Sequence, residues 1–533
     1  MKEVAMKVNQ ANLVKSLKFS FTNKTTVLGE LMQNARRANA TQVVFEFAPE
    51  TKILRVTDDG CGIDSIETLL TVAESGWDAD VVAQEHPFGI GFLSALFACR
   101  HMTVVSKSGR ISVNTDDVLS FKPVIVSPVT DWDGITAITM LGVDLEIEQI
   151  ESMLNQLAQG FPIPVEFNGT SLDRKCALDS GLHFVDTEIG AVYLDGVDNS
   201  NSTVRDFEVY LQGLPVYKSY SNHRVSMKHV IHLDSSRFYA RLPDRDKLID
   251  EKEVIALVRT VLAQEMEKHF TLFKTTAPAD VFVLFYDTLK HWKLLSLLND
   301  VPVVPREVLH EYDDYPVCDT EVYSDFTRHP DKALTRSEVE SREVVNFNDD
   351  MQNEGSALHM FAWKRESLIY NDGLDNAHWI YPMIRYLDDE ELTTELVNAS
   401  HGALFEGEWT TVYVHFCDAY RIQIGNDVVE IADSAFYHGE DQSGLAVVPK
   451  GDASGYILKQ ISSYKSEYDE FQESTHESDV YAFSSFTVAN TASDPADAMK
   501  KLIPSSFNCP SLNSKSFVIT LDDGGKVASV TAA

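Results

Sequence analysis

Basic residues are scarce in this chain. Lysine and arginine total 45 against 81 aspartates and glutamates, a formal net charge of −36 over 533 residues. That balance argues against a nucleic-acid groove over most of the surface, because affinity for phosphate backbones is assembled from many basic contacts. It favours solubility and repulsion from polyanions. Long apolar runs are also missing: no stretch of about 18 apolar residues occurs, so no membrane span is expected. The first residues, MKEVAMKVNQANLVKSLKF, contain no apolar segment of the secretory kind, and a cytoplasmic location is expected. Cysteine is sparse. Cys61, Cys99, Cys176, Cys318, Cys417 and Cys509 show no C-x-x-C spacing, which suits reduced thiols and not a zinc site or a disulfide framework. The histidines have no metal spacing, no Ser-His-Asp pattern stands out, and the P-loop pattern G-x-x-x-x-G-K-[ST] does not occur.

What is present is 44% hydrophobic residues, enough for packed cores, in a length that suggests about three domains. Three short signals follow one another between residues 30 and 99. The first, ELMQNARRANA (Glu30 to Ala40), reads as a helix, with Val27, Leu28, Leu31, Ala35 and Ala38 on one apolar face. Glu30 and Asn34 are four apart and share a side of it. A carboxamide oxygen there can complete a Mg²⁺ shell that phosphates and waters already fill, and a carboxylate can take a proton from an attacking water. A solvated polar face is the plainer use of such a pair.

The second signal is VTDDGCGI (Val56 to Ile63). Lys52 to Thr57 reads as a strand with Gln42 to Phe47 as its hairpin partner, broken by Asp58-Asp59-Gly60-Cys61-Gly62. A carboxylate at a strand end can accept a hydrogen bond from an exocyclic amine such as that of adenine, and glycines let backbone approach a ligand; an ordinary Asp-Gly turn is the alternative. The third is HPFGIGFLSALFAC (His86 to Cys99), in which Gly89 and Gly91 lead into an apolar helix from Phe92 to Cys99. Glycines before a helix expose N–H groups where the helix dipole favours phosphate.

Together these stretches resemble the gyrase/Hsp90/histidine-kinase/MutL ATPase superfamily, whose nucleotide site is the Bergerat fold, and within it the Hsp90-like branch. FGIGFLSA is similar to that branch's glycine box, VAESG (Val72 to Gly76) to its lid entrance and VVSKSG (Val104 to Gly109) to the strand after the glycine box. The resemblance implies Glu30 as general base, Asn34 as Mg²⁺ ligand, Asp58 as the adenine acceptor, Gly62 lining the base pocket, Gly60 among the nucleotide-binding residues, and Gly89 and Gly91 at the phosphates. Ser94 and Thr136 would also belong to the nucleotide site; Gly134 and Thr136 resemble the Gly-Thr that closes the domain in this superfamily. Pro243-Asp-Arg-Asp-Lys247 resembles the Hsp90 middle-domain segment that sends a basic side chain to the γ-phosphate, which makes Arg245 a catalytic candidate with Lys247 as its alternative. A simple turn in which Arg245 pairs Asp244 or Asp246 is the competing reading.

The implied fold is α+β: a Bergerat-type ATP-binding α/β sandwich over residues 1–148, a transducer-like α/β domain over 149–275, and an unassigned acidic α+β region over 276–533. In the second part, a helix from Glu148 to Gln159, an edge strand with an Asn-Gly turn in FPIPVEFNG (Phe161 to Gly169), antiparallel strands from Ile189 to Asp234, and a helix whose face is Val254, Leu257, Val258, Val261, Leu262 and Met266 are expected. In the third, Asp280 to Leu298 reads as helical, Glu311 to Asp325 and Asn346 to Ser356 as loops, and Trp409 to Ile431 as strands. Ile457, Ile461, Tyr464, Tyr468 and Phe471 form an amphipathic stripe, and a disordered tail is expected from Asp522.

The resemblance implies ATP and Mg²⁺ as ligands, Mg-dependent ATP hydrolysis, and nucleotide-gated closure of a homodimer around a protein client. Two alternatives stay open: a MutL- or MORC-like clamp on DNA, which the charge disfavours, and nucleotide binding without turnover. The second arises because Arg37 stands where many members carry an acidic residue. A phage-encoded member also fits.

Overall fold

A computed structural model describes residues 9, 14, 16–17, 23–71, 91–219, 228–241, 245–313, 327–347, 357–388, 392–408, 410–438, 445–450 and 470–533. The chain forms two compact units, one of residues 1–276 with 287–294 and one of 277–286 with 295–533.

The first unit begins with helix α1 (Thr26–Arg37), which buries Val27, Leu28, Leu31 and Ala35, the apolar face expected of it. It stops because Asn39 takes the left-handed conformation (φ 55), letting the Ala40 N–H reach back to the Ala35 carbonyl. Strands β1 (Val43–Ala48) and β2 (Ile53–Asp58) follow as an antiparallel hairpin in which Val43 faces Asp58. Val43, Phe45 and Phe47 point inward, as the period of two requires. Helix α2 (Gly91–Ala98), strands β3 (His101–Ser106) and β4 (Gly109–Asn114), helix α3 (Thr115–Leu119), strand β5 (Thr136–Leu141) and helix α4 (Ile147–Ala158) come next. Strands β6 (Val165–Phe167) and β7 (Thr170–Ser171) complete a mixed seven-stranded sheet of order β4-β3-β5-β2-β1-β6-β7.

The sheet continues past the expected division at residue 148, since β6 pairs parallel to β1 and Ile150, Leu154 and Ala158 of α4 lie in the same core as α1. The Asn-Gly turn joins β6 to β7 with φ 47 at Asn168 and 80 at Gly169, the twist a two-residue hairpin needs. The Asn168 side chain ties back to β1 by accepting from the Phe47 N–H at 2.8 Å. Buried apolar side chains such as Leu28, Phe45 and Leu154 each contribute roughly 1.5–3 kcal/mol.

A five-stranded sheet follows, from β8 (Val185–Thr187), β9 (Gly190–Tyr193), β10 (Phe207–Leu211), β11 (Leu214–Lys218) and β12 (His229–Leu233), in the order β11-β10-β12-β9-β8. The sequence pattern predicts antiparallel strands throughout, but β10 and β12 are parallel neighbours. Both are buried along their whole length, which is the setting in which parallel pairs occur. Helix α5 (Glu251–Thr276) covers this sheet with Ile255, Val258, Val261 and Leu262.

In the second unit, Ala279–Phe282, Val283–Phe285 and Leu295–Leu298 are short helical pieces where one helix is expected. Strands Thr411–Cys417, Ala419–Ile424 and Asp427–Ile431 occupy the stretch expected to be strands. Helix Glu470–Thr491 is pinned by Asp479, whose carboxylate accepts the N–H groups of Glu408 and Thr410. Most of the amphipathic stripe from Ile457, and most of the acidic run from Glu311, lie outside the described residues. The tail from Asp522 is a correction: Phe517–Leu521 and Val527–Ala532 form an antiparallel hairpin. Asp522 closes its turn by accepting from the N–H groups of Gly524 and Lys526, with Gly525 at φ 75. Phe517, Ile519 and Leu521 face Ala532, Val530 and Val527 across it, and all six are exposed. Among the described residues no helix is long and apolar enough to cross a membrane.

Candidate functional site

The site forms around α1. Glu30 is 5% exposed, although its neighbours in sequence give no reason to bury a carboxylate. The reason arrives from 215 residues away: Arg245 Nε donates to Glu30 Oε1 at 2.9 Å, with the carboxylate buried and the arginine side chain 12% exposed. The other carboxylate oxygen lies against the start of α2, where a Cβ on Gly91 would collide with Glu30 Oε2. A side chain at Gly91 would therefore push the Glu30 carboxylate aside, and Gly91 and the base candidate are in direct contact.

Arg245 sits at φ 53, with its N–H donating to the Arg241 carbonyl at 2.9 Å, in a loop closed by the Ala240–Leu248 bridge. Among the described residues Arg245 pairs with Glu30 and not with Asp246, which lies 3.9 Å from Arg241. Asp244 lies outside the described residues. Lys247 is exposed. A second tie holds the same helix, since Gln33 Nε2 donates to the Gln212 carbonyl at 2.9 Å in the turn between β10 and β11.

Asn34 is half-buried, and Arg37 Nη1 approaches its Oδ1 at 3.5 Å. This carboxamide oxygen, one turn from Glu30, is the donor that Mg²⁺ would use. A single neutral oxygen fits a Mg²⁺ ion that takes most of its shell from phosphates and waters.

The two aspartates of the DDGCG turn have different employment. Asp59 accepts the N–H groups of Thr41 and Gln42 at 2.7 and 3.1 Å and the Thr41 hydroxyl. Burial, the largest single influence, pushes its carboxyl up, but those bonds together outweigh it and hold the carboxyl below the usual carboxylate range. Asp58 has one hydrogen-bond donor among the described residues, the Gly60 N–H at 3.1 Å. Burial pushes its pKa up to about 6, aided by the Asp59 charge and opposed by the Gly60 bond. A carboxylate left short of donors is what an exocyclic amine would satisfy.

Gly60 presses on the end of α1, where a Cβ would stand 2.6 Å from the Ala38 Cβ, and the Cys61 N–H donates to the Ala38 carbonyl at 2.8 Å. The turn thus docks eight residues along the helix from Glu30, about 12 Å of axial rise. Asp58 faces Thr136 across β2 and β5. The buried Thr136 hydroxyl lies 3.0 Å from the Ser106 hydroxyl, which accepts the Ile63 N–H at 2.9 Å. Gly62 adopts φ 74 beside the Trp132 ring. Ser94 is buried in α2, its hydroxyl donating to the Gly91 carbonyl at 2.6 Å, so that group is occupied by its own helix. Gly89 and the lid entrance from Val72 lie outside the described residues.

Sequence reasoning did not find Ser106, Trp132 or the Gln33–Gln212 tie. Ser106 falls inside the VVSKSG stretch and had a signal; a lone tryptophan before β5 had none.

Residues 22–127 match the family of histidine kinase-, DNA gyrase B- and HSP90-like ATPases. The matched segment holds α1, β1, β2, α2, β3 and β4, and its mixed α/β build agrees with the fold of that superfamily's ATPase domains. Comparison with curated proteins gives no match.

Proposed function

We propose that this protein binds ATP with Mg²⁺ between Glu30 and Asp58 and hydrolyses it. Asp58 takes the adenine amine, Asn34 offers its amide oxygen to the metal, Glu30 accepts the proton of the attacking water, and the backbone at Gly91 borders the phosphates. The observation that carries the reading is the meeting at Glu30: helix α1, the glycine-loop helix and a remote arginine converge on one buried carboxylate. An arginine fixed there is also suited to phosphate charge that develops during phosphoryl transfer, which favours Arg245 over the exposed Lys247. The wider reading is an Hsp90-like conformational cycle, in which ATP favours a closed homodimer around a protein partner.

The test is Arg245→Ala, with turnover and calorimetric affinity measured on one preparation. ATP affinity should stay within a few-fold while turnover falls at least tenfold. Equal turnover would demote Arg245 to a structural partner of Glu30. Gly91→Ala acts on the same carboxylate from its other side. Displacing a catalytic group by about 1 Å costs on the order of 10²-fold, so turnover should drop by that much with the adenine end intact.

A clamp on duplex DNA is the reading that charge disfavours. With 81 acidic residues against 45 basic ones, no gel shift should appear below micromolar protein at physiological salt. A sub-micromolar shift would revive the clamp.

A further inference from the structure

Trp132 lies in the loop before β5, where its indole Nε1–H donates to the Ile135 carbonyl at 2.7 Å. The Asp133 carboxylate accepts the Ile135 N–H at 3.0 Å, which tightens the same loop. These bonds fix the ring so that its six-membered edge, Cζ2 and Cη2, stands 2.9 Å from where a Gly62 Cβ would be. The Lys107 stem flanks the same spot at 3.2 Å, and its ammonium is held by Asp64 at 2.6 Å. Gly62 is four residues past Asp58. The residue after it, Ile63, is tied through Ser106 to Thr136, the cross-strand partner of Asp58. The indole is thereby carried to the Asp58 end of the site and not to the Glu30 end.

We propose that Trp132 is a base-binding residue, an aromatic wall that contacts the purine whose amine Asp58 accepts. A purine offers a polar edge and an apolar face. Asp58 answers the edge, and the half-buried indole is the aromatic surface positioned for the face. The arrangement also accounts for Gly62: with a side chain there, the backbone and the indole could not both keep their places. This assignment rests on the ATP-binding reading above.

The experiment compares ATP with inorganic tripolyphosphate, which has the phosphates and no base. Calorimetry is run on wild type, Trp132→Ala and Trp132→Phe. Replacing an aromatic that stacks on a base by alanine weakens binding about 5- to 150-fold, and a drop in that range is expected for ATP in Trp132→Ala. Tripolyphosphate affinity should not move, and Trp132→Phe should bind ATP within about threefold of wild type. ATP should also change the tryptophan emission of wild type and leave that of Trp132→Phe nearly constant. If wild type binds no ATP, the nucleotide reading fails and takes this assignment with it. If wild type binds ATP and Trp132→Ala binds it equally, only the assignment of Trp132 is overturned. Parallel loss of ATP and tripolyphosphate would make Trp132 a structural pin, which also overturns it. Should Trp132→Ala not fold, the emission comparison decides: an equal response in wild type and Trp132→Phe rejects the wall.

Discussion

Glu30→Gln should bind ATP and hydrolyse it about 10²- to 10⁴-fold more slowly than wild type, the range that a positioned acid–base group contributes. Glutamine is the informative substitution because Glu30 holds Arg245 and is also the proposed base. Its Oε1 holds the largely covered Arg245 guanidinium at 2.9 Å, and an amide oxygen can still accept that bond. Both substitutions remove the counter-charge of Arg245, but Glu30→Ala also removes its hydrogen-bond acceptor, and breaking such a pair outright costs up to about 3–5 kcal/mol. The alanine variant should therefore lose both turnover and several degrees of melting temperature, and the glutamine variant turnover with a smaller loss of melting temperature. Single-turnover kinetics, calorimetry and thermal unfolding separate the two. Wild-type turnover in Glu30→Gln would remove Glu30 from the chemistry and leave it as an anchor for Arg245. If nucleotide drives closure, Glu30→Gln should also enlarge on adding ATP, which light scattering reads. A variant that binds ATP and stays monomeric keeps the ATPase and loses the dimeric cycle.

Asp58→Ala should abolish detectable ATP binding. Asp59 cannot substitute, because its carboxylate is engaged by Thr41 and Gln42. Adenosine is the better probe of this contact, since it has no phosphate to titrate. The acceptor must be ionised, and in the free protein burial pushes the Asp58 carboxyl up to about 6. Affinity for adenosine should thus be level above pH 7 and fall up to tenfold per unit as pH drops below about 6. Stability carries the opposite sign. The folded-state pKa is raised, so ionising Asp58 costs the unliganded fold at neutral pH, and the cost vanishes as the carboxyl protonates. Asp58→Ala should be stabilised relative to wild type near pH 8 and lose that advantage below pH 4. Unchanged adenosine affinity in Asp58→Ala would place the base elsewhere.

The elements around the site were legible because each has a strong local cause. The three- and four-residue spacing of Val27, Leu28, Leu31 and Ala35 marks α1, the alternation of Val43, Phe45 and Phe47 marks β1, and Asn168-Gly169 marks the turn after β6. The division of labour between Asp58 and Asp59 was not legible. Two adjacent carboxylates look alike until folding brings Thr41 and Gln42 to one of them. Nor could spacing reveal that Arg245 meets Glu30, because the two are 215 positions apart with a second sheet between them in sequence. The parallel pairing of β10 with β12 escaped for a related reason: strand order is decided by crossover connections, which leave no periodic mark. The tail misled through composition. Its Asp-Asp-Gly-Gly reads as disorder, whereas the same residues, flanked by alternating apolar positions, supply a turn.

That terminal hairpin bears on how the protein behaves when concentrated. It presents Phe517, Ile519, Leu521, Val527, Val530 and Ala532 on one uncovered face, and a two-stranded ribbon on its own has open edges that can recruit another strand. Opposing this is the charge of −36, a colloidal repulsion whose reach contracts from about 10 Å at 0.1 M ionic strength to about 3 Å at 1 M. Ionic strength therefore acts as a dial between dispersed and self-adherent states. Dilute buffer keeps molecules apart before their hairpins can touch, while added salt removes the long-range barrier and leaves the short-range attraction in charge.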